Sequence, residues 1–202
     1  MKFGLDKNEL KIFHRLNTPR KIQDFLNGLK INFEEHGDTL MSPRRILAEG
    51  KAHCMEGALF AAAVLSFHGH MPLLMDIKTS PSDYEHVVAL FRQHGHWGAI
   101  SKTNHAMLRF REPVYKTVRE LAMSFFHEYF LDNGKKTMRS FSKPFSLAPF
   151  KGWMTSEKDL WEIYDALDSS PHVQILSKGM IAGLRAADNI EIDAGKLVQY
   201  KP

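Results

Sequence analysis

The sequence predicts an α+β domain in which one wholly apolar helix precedes an antiparallel set of short strands. Three observations carry this. From Met55 to Phe67 nearly every residue is apolar or small, and the alanines favour helix over strand. Leu73 to Ile77, His86 to Arg92 and Trp97 to Ser101 are apolar runs of strand length, and His94-Gly95-His96 joins the last two as a turn. The composition is that of a folded core: 202 residues, 44% hydrophobic and 25% charged, which sets aside disordered and low-complexity classes.

Taken in order, Thr18-Pro19 gives a helix start, with Ile22, Phe25, Leu26 and Leu29 forming one apolar stripe. Ser42-Pro43 repeats the signal before a short helix that reaches Gly50. The buried helix then begins near Cys54 and ends at His68-Gly69-His70-Met71-Pro72. After the strands, Val114, Val118, Leu121, Ala122, Phe125, Phe126 and Tyr129 predict a further helix that stops at Asn133-Gly134. Lys135 to Trp153 carries Pro144, Pro149 and Gly152 without periodicity and reads as an irregular connection. Ser156 with Asp159 then predicts a capping box ahead of Leu160, Ile163, Tyr164 and Leu167. The last 30 residues, with Val173 to Leu176 and Ile190-Glu191-Ile192, add short strands at most. The organisation expected is one domain over residues 1–202, with a core of about 18–132 and a C-terminal extension of about 133–202.

The longest apolar run, Ala58 to Phe67, is half of the roughly 20 residues a bilayer needs, so no membrane span is expected. The N-terminus turns charged before an apolar signal region forms, which predicts a cytoplasmic protein. The 27 basic and 23 acidic residues leave +4, a mild excess. Lys135, Lys136, Arg139, Lys143 and Lys151 concentrate it, but their interleaved Phe141, Phe145 and Phe150 read as anchors of a solvated loop, so nucleic acid is not an expected partner. The pairs His68/His70 and His94/His96 sit at turns without a carboxylate at ligand spacing, so no metal or cofactor is called for.

The single cysteine, Cys54, cannot form an internal disulfide, so it serves packing or chemistry. At the first turn of a buried helix a thiolate is favoured by the helix N-terminus. It then needs an imidazole. His86, at the start of a later strand, is placed to supply one, whereas His53 is expected to be a poor partner because neighbours on a helix diverge by about 100°.

The stretch Gly50-Lys51-Ala52-His53-Cys54-Met55-Glu56-Gly57-Ala58, the alanine-rich helix ending in Gly69, and the strands of His86-Val87-Val88-Ala89-Leu90-Phe91 and Trp97 resemble the transglutaminase-like branch of the papain-like cysteine enzymes. The likeness covers about residues 42–112. It implies a papain-like, transglutaminase-like α+β fold with the cysteine helix on an antiparallel sheet and additional N- and C-terminal helices. It also implies Cys54 as nucleophile and His86 as acid/base. Four residues after Trp97, where similar proteins carry an aspartate, stands Ser101; because papain-like relatives use asparagine, Asn104 is a second candidate for orienting the imidazole. The family's oxyanion donors, a glutamine shortly before the cysteine or a tryptophan, are missing: Ala48 holds the nearby upstream position, and the Cys54 backbone N–H is left to serve.

Two functions follow as expectations. One is a cysteine-dependent amide hydrolase or acyl transferase that acts on a peptide or protein amide through a thioester at Cys54. The other is a catalytically inactive binding module that keeps the fold.

Overall fold

The computed structural model describes residues 2–201. Local capping sets the first elements. Asp6 accepts the N–H groups of Asn8 and Glu9 at the start of α1 (Lys7–Arg15), and Glu9 returns to the Asp6 N–H, a capping box. Thr18 caps α2 (Pro19–Gly28), and Ser42 caps α3 (Pro43–Glu49), which closes at Gly50 with φ 67°, a left-handed conformation that glycine adopts without strain. Two short parallel strands, β1 (Lys30–Ile31) and β2 (Lys51–Ala52), bring the chain to α4 (Cys54–Phe67). Every residue of α4 except Cys54 and Ser66 is buried, as its uniform apolarity requires.

The sheet follows: β3 (Leu73–Thr79), β4 (His86–Gln93), β5 (His96–Ile100), β6 (Arg111–Tyr115), then, after α5 (Val118–Met123), β7 (Met138–Ser142) and β8 (Phe145–Ser146). Helix α6 (Trp161–Asp168), β9 (His172–Gln174), α7 (Lys178–Ala182) and α8 (Asn189–Gly195) complete the chain. The strands pair antiparallel in the order β6-β5-β4-β3-β7-β9, with β8 also on β3. Leu74, Val87, Ala89 and Phe91 face α4, while Met75, Ile77, Val88 and Leu90 face Leu121, Phe125 and Tyr129. The fold is thus mixed α+β, an antiparallel sheet with apolar cores on both faces. Among the described residues no helix is long and apolar enough to cross a membrane.

Several expectations are corrected. The helix predicted from Val114 begins only at Val118, because Arg111 to Tyr115 forms an edge strand on β5, where Pro113 is tolerated. The irregular connection from Lys135 contains β7, which lies beside β3 in mid-sheet, so residues beyond 133 help build the sheet that carries β4 and β5. Helix α6 exists, but the Ser156–Asp159 capping box does not: Asp159 instead accepts the Leu40 N–H and the Arg45 guanidinium. Ile190-Glu191-Ile192 lies in α8, started by a true capping box of Asp188 and Glu191.

One clamp connects α2 to the end of β5. Gln23 is buried and donates to the Ser101 carbonyl (2.7 Å) while accepting the Ser101 N–H (2.9 Å). The next residue, Lys102, is also buried, and its ammonium donates to the Leu26 and Leu29 carbonyls at the end of α2 (2.8 and 2.5 Å). Burial and the charge of Arg109 push Lys102 down to about 8. Its stem lies against Gly57 of α4, where an added Cβ would sit 2.3 Å from Lys102 Cβ.

Gly57→Ala therefore sets two effects against each other. Alanine gains up to about 1 kcal/mol in helix preference, but the contact with a clamped side chain costs about 1–3 kcal/mol. A net loss of about 1–2 kcal/mol in denaturant unfolding is expected; an unchanged midpoint would mean that Lys102 yields freely.

Candidate functional site

The position of Cys54 begins with Glu56. This carboxylate is fully buried at the third position of α4 and accepts the His53 N–H (2.9 Å), the Met41 N–H (2.9 Å), the Thr39 hydroxyl (2.9 Å) and the Asn32 amide (3.2 Å). It ties the chain between β1 and α3 over the helix start and fixes where the helix begins. Cys54 is the first helical residue and is half-buried.

Two histidines act on its sulfur. Burial alone raises a thiol, but hydrogen bonds from His53 and His86, and their charges, outweigh it and bring Cys54 well below its ordinary range. The expectation for His53 is corrected here. His53 is the N-cap, with extended backbone (φ −92°, ψ −173°), so it lies outside the helix and the 100° divergence does not apply. Its Nε2 is 3.0 Å from the Thr39 carbonyl and 3.5 Å from Glu56 Oε1, which leaves Nδ1 for the thiol. Burial lowers His53, but the hydrogen bond and charge of Cys54, then Glu56, carry it to about 9.

His86 opens β4 and is buried. Ala89 lies opposite Ile100, so one further step along β5 sets Ser101 across from Val88, on the sheet face that His86 shares. His86 Nε2 is 2.7 Å from Ser101 Oγ. That hydroxyl donates its only proton to the Leu108 carbonyl (2.5 Å), so it must accept from Nε2–H, and Nδ1 is left facing Cys54. Leu108 is held to receive it: its N–H donates to Glu128 (2.6 Å), and Glu128 pairs with Arg111 (2.6 Å), which lies over the Phe125 ring. Leu108 has φ 59°, a left-handed backbone costing a non-glycine residue about 1–2 kcal/mol.

Asn104 is placed elsewhere. Its amide donates to the Tyr200 carbonyl and accepts the Tyr200 N–H (2.9 and 2.8 Å), so it straps the C-terminal segment to the loop after β5 and makes no bond to His86. Asn104 and Ser101 are three residues apart, but only Ser101 directly follows the last β4–β5 pair, Ala89 with Ile100.

Cys54, His53 and His86 open into a cleft of about 780 Å³, lined also by Tyr84, Glu85, Asn104, Leu108 and Tyr129. Glu85 also belongs to a carboxylate cluster: Asp76, Glu85 and Asp168 bring one oxygen each within 4.8 Å of one another. The Lys78 ammonium, 2.5 Å from Asp168, supplies the positive charge there. The two histidine turns do not meet this cluster: His68 bonds the Phe13 carbonyl, and His96 the His94 carbonyl. In the basic stretch, Lys136 is buried against Phe130, Arg139 bonds backbone carbonyls, and Phe145 packs on Phe150.

His53 and Gln23 are the site residues that sequence reasoning missed. A signal for His53 was present, since Glu56 at the third helical position marks residue 53 as the N-cap. Gln23 left none, because its partner is backbone 78 residues away. Comparison of the sequence with models of known protein families and with curated proteins finds no match to either.

Because the shift of His53 is upward, the stability its charge contributes is complete below pH ~6.5 and is lost as pH rises through about 9. In Cys54→Ala the largest raising influence is gone, and the NMR titration of His53 is expected to move down from about 9. A midpoint that stays in place would assign the shift to Glu56 instead.

Proposed function

We propose that this chain is a cysteine-dependent acyl-transfer enzyme of transglutaminase-like type, which cleaves or transfers a peptide or protein amide through a thioester at Cys54. The observation that carries the reading is the thiol at the start of a buried helix, lowered by His53 and His86, with the far nitrogen of His86 directed by Ser101. The order of cysteine helix, histidine strand and third-residue strand supports the family likeness. Serine replaces the usual carboxylate as an oriented neutral acceptor, which serves where the resting thiolate already pairs with a cation.

In the first step the Cys54 thiolate attacks the amide carbon, the C–S bond forms and the carbonyl oxygen takes the negative charge. Collapse breaks the C–N bond, and His86 Nδ1 gives the departing amine the proton it took from the Cys54 thiol when the thiolate formed. Water or a second amine then attacks the thioester with His86 Nδ1 taking its proton, and the thiolate leaves. His53, held charged to about 9, keeps the thiolate formed at neutral pH and does not act as the base.

Iodoacetamide labelling from about pH 5 to 9 tests this. A paired thiolate gives a rate plateau extending below the free-thiol value of roughly 8.5, and His86→Ala shortens it. A curve that follows free thiol, or no labelling before unfolding, would leave the binding module as the better reading.

A further inference from the structure

The acyl-transfer reading leaves one requirement with a single owner. The oxygen that gains charge as the thiolate attacks needs preorganised donors, and an enzyme that loses one of two loses about 10²–10³ in rate. The Cys54 N–H, at the first helical position, has no intrahelical partner and is one donor. No glutamine or tryptophan precedes Cys54 at the spacing the family uses.

Tyr129 ends the single turn Phe126–Glu128, and the Thr137 N–H holds its carbonyl (3.1 Å). Its ring packs with Phe125 and Phe126 and is 3% exposed, yet the residue lines the same cleft as Cys54 and His86. Its hydroxyl is buried and makes no hydrogen bond. An orphan buried hydroxyl is destabilising, and phenylalanine would fill the same space without that cost. We propose that the Tyr129 hydroxyl is the second oxyanion donor of the Cys54 site, left unpartnered until the tetrahedral oxygen forms.

This assignment rests on the acyl-transfer reading and adds a residue to it. Burial and then the negative charge of Cys54 hold the phenol well above its ordinary range, so it keeps its proton while donating. No bond in the resting protein has to break when the oxyanion appears, because the hydroxyl has no competing acceptor. The step is a hydrogen bond alone, with no proton transferred to substrate.

Tyr129→Phe separates this from a packing role when two probes of the thiol are compared. Iodoacetamide alkylates by displacement at carbon and forms no oxyanion; p-nitrophenyl acetate acylates through one. The expected result is a variant as resistant to heat as wild type or more so, with alkylation within about twofold at every pH and acylation slower by about 10²-fold. Equal acylation by variant and wild type overturns the assignment. So does a parallel fall in both rates, which would place Tyr129 in tuning the thiol. Wild-type protein that shows neither a low-pH alkylation plateau nor acylation removes the underlying reading, and this proposal with it.

Discussion

The placing of the thiol depends on one buried carboxylate. Glu56 has no access to water, and what makes that tolerable is the set of donors it gathers: His53 backbone, Met41 backbone, Thr39 hydroxyl and Asn32 amide. All of them lie between β1 and α4. Satisfying the charge therefore fixes the path of that whole connection and ends it at the first turn of α4. The thiol is placed by another residue's need for hydrogen bonds.

The two histidines divide the electrostatic labour. His53, gripped by Thr39 and close to Glu56, sits on the helix side of the sulfur and contributes a standing positive charge. His86 sits on the sheet side, where Ser101 and the Leu108 carbonyl fix which nitrogen carries which proton. Ser101 fixes the His86 ring because its own proton has a fixed destination. That destination is held by the left-handed Leu108 and its bond to Glu128, so local backbone strain is spent on a hydroxyl's direction.

Much of this was legible in the sequence where the signal was local. Thr18-Pro19, Ser42-Pro43 and Gly50 gave α2 and α3, uniform apolarity gave α4, and His94-Gly95 gave the β4–β5 hairpin. Cys54, His86 and Ser101 are brought together; Asn104, equally near in sequence, makes no bond to His86, because Ser101 directly follows β5 whereas Asn104 lies further along the loop and is tied to Tyr200. The failures share a cause. Strands β6 and β7 have weak local patterns and form because partner strands supply their ladders, β6 against the preceding β5 and β7 against the distant β3. Ser156 and Asp159 fit a capping box locally, but the Leu40 N–H and Arg45 claim Asp159 from over a hundred residues away. Tertiary demand outweighed local preference in each case.

The sheet order also has a kinetic meaning. Strand β3 meets β4 through a short loop, so that pair and the β4–β5 hairpin are local and fast to form. Its other edge waits for β7, with Ile77 opposite Phe141, and closing so long a loop is slow because its entropy is lost before the new contacts compensate. Until that pairing is made, the open edge of β3 presents unpaired backbone groups to any other extended chain. The second half of the sequence thus acts during folding as the cover for a strand that the first half leaves exposed, and association between partly folded chains should begin at that edge.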